Sequence, residues 1–312
     1  IKKMDNYKIF FMGTPPIAGE YLNFLIKSKI NISAVYSQPP TKQSRGMKLI
    51  QSAVHKIAIT NNIDTFTPKS FDNEALDHIS KIKPDLIIVM AYGKILPKRV
   101  LEIPKYGCIN LHVSLLPRWR GAAPIEHTLM NGDLETGISI IKLVEKLDAG
   151  PIIAQKKILI PDTFNKLQLS KKLTEIGTKL LVEVIPLIFK EDINLIPQKE
   201  NLATYANKLT TENRKINFNN SSKNIINQIR AFAPKPGAWF NLNKERIKII
   251  DAKKGKHKGK VSTILNEKFE IGCEDGSIEP LILQREGKNI ISKDEFLRGY
   301  KINLNDKINA EL

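Results

Sequence analysis

The sequence predicts an α/β fold in which a doubly wound domain precedes a small β-barrel domain. Over the first 190 of its 312 residues, short apolar runs alternate with helical periodicity, as in sheets whose parallel strands are joined by helices. From about residue 208, short strand-like segments are separated by Gly, Asp and Asn turns, which is typical of small barrels. Residues 191–207 are polar and form the predicted linker, so we expect domains at 1–190 and 208–312.

The elements of the first domain follow from apolar runs and turn residues. An apolar run at 8–12 ends in Gly13 and two prolines, so a strand precedes a helix that starts near Pro16. Residues 85–90 are almost entirely apolar, as expected for a parallel strand covered on both faces. Further strands are predicted at 32–36, 108–112 and 137–144, and helices at 54–59, 75–82 and 166–189.

The second domain is the more positively charged part of the chain. Lys and Arg total 49 and acids 32, and residues 205–312 carry +8 of the net +17. The densest stretch, 246–260, holds seven Lys or Arg and His257 against Asp251 alone. Such a field attracts polyanions, so nucleic acid is an expected partner, although a Lys- and Asn-rich coding bias raises the charge without any function. The barrel strands are predicted at 246–250, 261–264, 269–273 and 280–284.

Several classes of protein are excluded by what the sequence lacks. Only Cys108 and Cys273 occur, so neither a disulfide framework nor a four-cysteine site is possible, and we expect a cytoplasmic protein. The sequence contains no run of 18 apolar residues, so no membrane span is predicted. Gly13 is not followed by the other glycines of a dinucleotide-binding turn, and no P-loop occurs, which disfavours nicotinamide, flavin and ATP. No metal-ligand spacing occurs, so we expect no metal.

Three polar residues form the candidate site. Asn110 and His112 are two apart on the strand predicted at 108–112, so their side chains share one face near its carboxyl end, where α/β sheets bind ligands. An amide beside an imidazole can stabilise an oxyanion, and the imidazole can move a proton. Asp148, after the strand predicted at 137–144, can orient or charge His112. Taken singly, such residues more often serve structure; their combination indicates a site.

That combination resembles the formyltransferase family that uses 10-formyltetrahydrofolate. The resemblance covers almost the whole chain, more weakly after about residue 205. It is carried by Phe11-Met12-Gly13-Thr14-Pro15, Ala91-Tyr92-Gly93-Lys94-Ile95-Leu96-Pro97, Asn110-Leu111-His112, Ser114-Leu115-Leu116-Pro117, Arg120-Gly121-Ala122-Ala123-Pro124-Ile125, Asn131-Gly132-Asp133 and Leu147-Asp148-Ala149-Gly150.

The resemblance implies a Rossmann-like catalytic domain, an OB-like barrel and a reaction. Asn110, His112 and Asp148 would be the catalytic residues, with Asn110 and His112 facing the oxyanion and Asp148 supporting His112. No metal is implied, and 10-formyltetrahydrofolate would be the formyl donor. The folate pocket would be lined by Ser114, Leu115, Leu116 and Pro117 and by the backbone around Met90, Tyr92 and Gly93.

Besides the motif Arg120-Gly121-Ala122-Ala123-Pro124-Ile125, two features resemble the tRNA-acting branch of the family. One is the added basic domain, and the other is the loop at 37–48, which is similar to an insertion placed against the acceptor stem but departs from its usual pattern after Pro39. The resemblance implies formylation of the α-amine of methionyl initiator tRNA by a monomeric protein that needs no membrane. The expected tRNA contacts are Arg45, Lys48, Lys253, Lys254, Lys256 and Lys258.

Two alternatives stay open on the sequence. The catalytic motif alone also permits a formyltransferase that acts on a sugar amine or a small ribonucleotide. The basic charge alone permits an RNA-binding protein whose α/β domain has lost activity, although intact Asn110, His112 and Asp148 speak against it. Formylation of charged initiator tRNA distinguishes all three.

Overall fold

The computed structural model describes residues 7–43 and 48–309. The chain divides into two compact units, each assembled from separate stretches of sequence. Of the described residues, the first unit comprises 7–43, 48–121, 136–158 and 171–205, and the second comprises 122–135, 159–170 and 206–309. Among the described residues, no helix combines the length and apolar character that crossing a bilayer requires.

Strands and helices are numbered here in chain order. The strands are β1 (Ile9–Gly13), β2 (Ile32–Tyr36), β3 (Thr41–Gln43), β4 (Lys48–Ile50), β5 (Thr65–Phe66), β6 (Leu86–Met90), β7 (Cys108–His112), β8 (Arg120–Gly121), β9 (Glu135–Lys142), β10 (Ile152–Leu159), β11 (Tyr205–Ala206), β12 (Ala238–Leu242), β13 (Glu245–Lys254), β14 (Ile271–Cys273), β15 (Gly276–Arg285) and β16 (Ile290–Ser292). The α-helices are α1 (Pro16–Lys27), α2 (Ala53–Thr60), α3 (Asn73–Ile82), α4 (Lys98–Leu101), α5 (Pro124–Met130), α6 (Lys166–Phe189), α7 (Ser222–Phe232) and α8 (Lys293–Gly299).

The main sheet has seven strands in the order β10-β9-β7-β6-β1-β2-β5. The five strands from β7 to β5 run parallel, and β9 is antiparallel to β7. Successive residues of β1 enter two apolar clusters: Ile9 and Phe11 join one, and Phe10 and Met12 join the other. A strand covered on both faces needs apolar residues at every position, which confirms the predicted doubly wound α/β class.

Most predicted elements of the first domain are confirmed. The predicted bounds of β2, β7 and α6 are those observed, and β1, β6 and β9 differ from their predictions by one or two residues. Residues 191–205, inside the predicted linker, lie in the first unit, where Ile196 pairs with Ile152 and Glu200–Leu202 form a 3₁₀ turn. The domain boundaries drawn from the sequence stay a prediction.

The second unit contains an antiparallel half-barrel of five strands, in the order β12-β13-β15-β14 with β16 on β15. Helix α7 packs on β13 and β15. Register shifts at Asp251 break the long β13–β15 ladder, and bulges of this kind bend a sheet. The strand predicted at 261–264 was wrong: Ser262 has φ +59°, and only isolated bridges form at Thr263 and Ile264.

Candidate active site

Strand β7 brings two predicted site residues to one face of the main sheet. Ile109 and Leu111 point into one apolar cluster, so Asn110 and His112 point to the opposite face. Asn110 is paired with Val89 of β6 at the carboxyl end of the parallel strands. Both side chains are buried, at 9% and 5% exposure. The period-2 prediction for this pair is therefore confirmed.

Asp148 lies beside both side chains although it is 36 residues beyond His112. Its Oδ1 accepts a hydrogen bond of 3.4 Å from Asn110 Nδ2, and its Oδ2 lies 3.6 Å from His112 Nδ1. The Gly121 N–H donates to Oδ2 at 2.9 Å. Asp148 is 7% exposed, so this carboxylate interacts with its partners with little screening by water. The structure thus brings the three predicted catalytic residues together.

His112 has a polar partner at each of its two ring nitrogens. Nε2 lies 2.7 Å from the Trp119 carbonyl oxygen, which can only accept a hydrogen bond, so Nε2 carries a proton. Nδ1 faces the Asp148 carboxylate. The Trp119 carbonyl was not expected from the sequence. Because this carbonyl accepts the Nε2–H of His112, that N–H is not available to a substrate.

The predicted folate residues lie at the same edge of the sheet. Ser114 is buried and its hydroxyl donates to the Arg118 carbonyl, while Ser139 fixes the backbone of Ser114 and Leu116 by hydrogen bonds of 2.7 and 3.0 Å. Leu116 is buried, and Leu115 and Pro117 are half-buried. A second hydrogen-bond donor to this turn is Gln155, whose amide contacts the Leu116 carbonyl at 2.9 Å.

The other segment predicted to bind folate lies at the end of β6 and just after it. Met90 and Tyr92 pack into the two apolar clusters of the sheet. The Tyr92 carbonyl accepts hydrogen bonds from Thr14 Oγ1 at 2.8 Å and Gln38 Nε2 at 3.2 Å. Gly93 is exposed with φ +84°, a conformation that a side chain would strain. The expectation that the backbone of this segment lines a folate pocket stays a prediction.

Cys108 does not have the environment of a nucleophile. It is buried on β7, and burial raises the pKa of its thiol to about 12. A nucleophilic cysteine needs the thiolate form, which this environment disfavours. Among the described residues, no group of three or more His, Cys, Asp or Glu is placed to hold a metal ion.

The predicted tRNA-contacting lysines differ in their local charge. Lys253 lies 3.1 Å from Glu279 and Lys254 lies 3.9 Å from Asp275. Lys256 and Lys258 are exposed and form no ion pair within the described part of the chain. Arg45 lies outside the described residues. Lys48 begins β4, but its side chain is likewise outside what the structure describes.

A buried carboxylate organises the loop that bears these lysines. Glu270 is 2% exposed, and its Oε2 accepts hydrogen bonds from the Lys256 and His257 N–H groups and from Ser277 Oγ. Its Oε1 lies 2.8 Å from His257 Nδ1. Burial alone raises the pKa of the Glu270 carboxyl, but these hydrogen bonds outweigh it and lower the pKa to about 2.

We expect Glu270→Gln to destabilise the second unit in a pH-dependent way. The folded carboxyl has a pKa of about 2, below its unfolded value of about 4.3. Its stabilisation is therefore complete above about pH 5 and is lost as the pH falls toward 2, and amounts to about 3 kcal/mol. The difference is measured by urea unfolding of the wild type and the variant, with hydrogen exchange in the second unit as the readout.

The control for this prediction is Glu267→Gln, at an exposed carboxylate on the same turn. That variant should match the wild type at every pH. A Glu270→Gln deficit that is the same at pH 7 and at pH 3 would contradict the electrostatic explanation and indicate a packing defect.

Comparisons with known proteins cover nearly the whole chain. The family model described as formyl transferase matches residues 7–185, and the formyl transferase C-terminal domain model matches residues 208–301. A curated methionyl-tRNA formyltransferase of Wolbachia sp. subsp. Drosophila simulans is 42% identical over 295 residues, which are 94% of this chain and 97% of the relative. The corresponding protein of Pelagibacter ubique is 39% identical over 298 residues, 95% of this chain and 96% of its own length.

Solved structures share the fold at lower identity. An N-formyltransferase from Helicobacter canadensis, in complex with folinic acid and dTDP-3-aminofucose, superposes with a TM-score of 0.67 at 24% identity and covers 89% of this chain and 99% of its own. HypX from Aquifex aeolicus, in complex with tetrahydrofolic acid, superposes with a TM-score of 0.62 at 17% identity over 96% of this chain and 50% of its own. At these identities the likeness concerns the fold alone.

Proposed function

The chain belongs to the formyl transferase family, and on this premise we propose that it transfers a formyl group from 10-formyltetrahydrofolate to the α-amine of methionyl initiator tRNA. Relatives that match 94% and 95% of this chain bear the name methionyl-tRNA formyltransferase. The convergence of Asn110, His112 and Asp148 carries the proposal, because it forms a site suited to formyl transfer. The reaction belongs to translation initiation. We therefore propose that the protein acts in the cytoplasm, and we expect it to act as a monomer.

The reaction begins with the neutral α-amine of methionine. Such amines have a pKa of about 7.7–8.0, so a useful fraction is deprotonated at neutral pH. The nitrogen attacks the formyl carbon, and the carbonyl oxygen becomes an oxyanion. The C–N bond to folate then breaks, the leaving nitrogen takes a proton, and the new amide loses one. Asp148 is the base that we assign to this last proton, because it is the carboxylate nearest to both Asn110 and His112.

Asn110 and His112 would stabilise the oxyanion in different ways. The Asn110 amide has one hydrogen on Asp148 and a second available to the oxyanion. His112 would contribute the positive charge of its imidazolium in a site with little water. Direct donation from Nε2 would require the oxyanion to replace the Trp119 carbonyl, which now lies 2.7 Å away.

The donor would bind along the carboxyl edge of the sheet beside these residues. We assign its contacts to Ser114, Leu115, Leu116 and Pro117 and to the backbone of residues 90–93. The position of both segments next to β6 and β7 supports this assignment. The hydrogen bonds that Leu116 donates to Ser139 and accepts from Gln155 give the first segment a fixed backbone, as a pocket formed by main chain requires.

For tRNA, the exposed Lys256 and Lys258 are the phosphate contacts that the charge environment favours over the acid-paired Lys253 and Lys254. Arg45 and Lys48 remain proposed contacts for the acceptor end.

Changing Lys256 and Lys258 together to Glu should weaken tRNA binding and lower the slope of log Kd against log salt by about two, because each lysine that neutralises a phosphate adds about one to that slope. Binding measured between low and physiological salt determines the slope.

The matched control changes Lys244 and Lys288 to Glu. Both are exposed in turns at the end of the antiparallel sheet opposite the loop of residues 255–260, and the change in net charge is the same. If the two double variants alter the salt slope equally, the tRNA surface is not at Lys256 and Lys258.

One assay tests the proposed function. The purified protein is incubated with 10-formyltetrahydrofolate and either methionyl initiator tRNA or a nucleotide-linked amino sugar. We expect an N-formylated aminoacyl group with the tRNA and no turnover of the sugar. Formylation of the sugar alone would assign the chain to a different acceptor, and tRNA binding without any formyl transfer would indicate an inactive RNA-binding protein.

A further inference from the structure

The backbone of Asp148 is in a conformation that needs support from its surroundings. Its φ is +49°, in the left-handed region that residues other than glycine seldom adopt. Asp148 lies in the loop between Lys142 and Pro151, whose ends are joined by a hydrogen bond from the Lys142 N–H to the Pro151 carbonyl, and in this conformation its carboxylate lies beside Asn110 and His112. Such strained backbone persists only where neighbouring groups determine it.

Gln198 supplies that support through one side-chain nitrogen. Its Nε2 donates hydrogen bonds to the Asp148 carbonyl at 2.8 Å and to the Gly150 carbonyl at 2.7 Å. Both hydrogens of the amide are therefore used, and they connect the carbonyls of Asp148 and Gly150, the residues that we call the Asp148 turn together with Ala149. Gln198 is 48 residues beyond Gly150 and lies in the stretch that the sequence predicted as a linker.

The orientation of the Gln198 amide is fixed by a buried cation. Its Oε1 accepts hydrogen bonds from Arg120 Nε at 3.1 Å and Nη2 at 2.9 Å. Arg120 is fully buried, and its remaining nitrogen Nη1 pairs with Glu200 at 3.0 Å. Because a guanidinium only donates, a flipped amide would turn its N–H groups toward N–H groups. The amide therefore keeps its nitrogen on the turn.

The same segment also holds the Asp148 side chain. Gly121, the neighbour of Arg120, donates its N–H to Asp148 Oδ2 at 2.9 Å. The backbone of Asp148 is thus held by Gln198, which Arg120 binds, and the carboxylate of Asp148 is held by Gly121, the residue that follows Arg120. Neither Gln198 nor Arg120 contacts Asn110 or His112 through any hydrogen bond in the described residues.

We infer that Gln198 is a positioning residue for formyl transfer: held by Arg120, it keeps the Asp148 turn in the left-handed conformation that presents the carboxylate to Asn110 and His112. The inference rests on the proposed function of those three residues. It also assigns a role to residues 191–205, which then complete the catalytic site rather than merely connecting two domains.

The test uses Gln198→Met, which keeps the length of the side chain and removes all four hydrogen bonds. We expect kcat to fall about 10- to 100-fold, as is typical when a residue that orients a catalytic group is lost. The KM values for donor and tRNA should change little, because the proposed binding surfaces do not include Gln198. If the variant does not fold, Gln198→Asn, whose shorter amide cannot reach both carbonyls, takes its place.

The matched control is Gln228→Met in the second unit. The Gln228 amide nitrogen likewise bridges two carbonyls, those of Asn213 at 2.9 Å and Lys215 at 3.1 Å. This variant loses the same kind of bridge between two carbonyls, although not the hydrogen bonds from a buried arginine, and its kcat should equal that of the wild type. A fall in kcat as large as that of Gln198→Met would show that lost stability alone explains the effect.

A double variant separates this inference from the proposed function. If Gln198 acts through Asp148, adding Gln198→Met to Asp148→Asn should lower kcat by less than threefold further. A full additional loss in that background would overturn the inference. Unchanged kcat in Asp148→Asn alone would instead refute the role of Asp148 in the proposed function, whereas a loss there with unchanged kcat in Gln198→Met would refute the positioning role only.

Discussion

Replacing Asn110 by Ala should lower kcat by about 10²–10³-fold, equivalent to about 2.7–4 kcal/mol of transition-state stabilisation. The amide is buried and held by Asp148, so its second hydrogen is oriented before the oxyanion forms. Removing it affects the charged intermediate much more than the bound donor. Steady-state kinetics at saturating donor and tRNA should therefore show a lower kcat with almost the same donor KM.

The matched control for Asn110→Ala is Asn61→Ala in the same unit. Asn61 is exposed at the end of α2, where its amide donates to the Ile57 carbonyl at 2.8 Å. That variant should keep the wild-type kcat. If Asn110→Ala also turns over at the wild-type rate, the oxyanion is stabilised by other groups and the proposed role of Asn110 is wrong.

Two residues of the candidate site were accessible from the sequence because they lie on one strand, whereas Asp148, 36 residues beyond His112, was added from its position after another predicted strand and from the family resemblance. Asn110 and His112 share a face through the period of a single strand, and the bounds of that strand were predicted correctly. The contacts that complete the site are not local. The Trp119 carbonyl, the Gly121 N–H and the Gln198 amide reach His112 or Asp148 across 7 to 50 residues of sequence. No periodicity or turn rule relates such positions.

The same distinction applies to the fold. Apolar runs predicted the parallel strands well, because a strand buried on both faces has an unmistakable composition. The apolar runs predicted a strand wrongly at residues 261–264, where Ser262 has a positive φ that its residue type does not predict.

The basic stretch at 246–260 shows the limit of counting charges in a sequence. Lys253 and Lys254 face acids from β15 and the preceding turn, so only the structure separates them from Lys256 and Lys258.

Gly150→Ala should abolish most of the activity, with a loss in kcat of more than about 10²-fold. A Cβ at this position would overlap the Lys142 carbonyl oxygen, and that atom belongs to the backbone of β9 and cannot rotate away. The turn must therefore move as a whole. Asp148, two residues earlier, would move with it, away from the Gly121 N–H at 2.9 Å and the Asn110 amide at 3.4 Å. The last residue of the Leu147-Asp148-Ala149-Gly150 motif is thus glycine because the Lys142 carbonyl leaves no room for a side chain.

Gly299→Ala is the control, because a Cβ there meets nothing within 4 Å and its φ lies outside the left-handed range. Its kcat and stability should stay close to those of the wild type. For Gly150→Ala we expect tRNA binding to persist, since the proposed phosphate contacts are in the second unit, together with a loss of stability of about 1–3 kcal/mol from overpacking. Wild-type kcat in this variant would mean that the turn tolerates displacement. A fixed Asp148 would then be unnecessary for the chemistry.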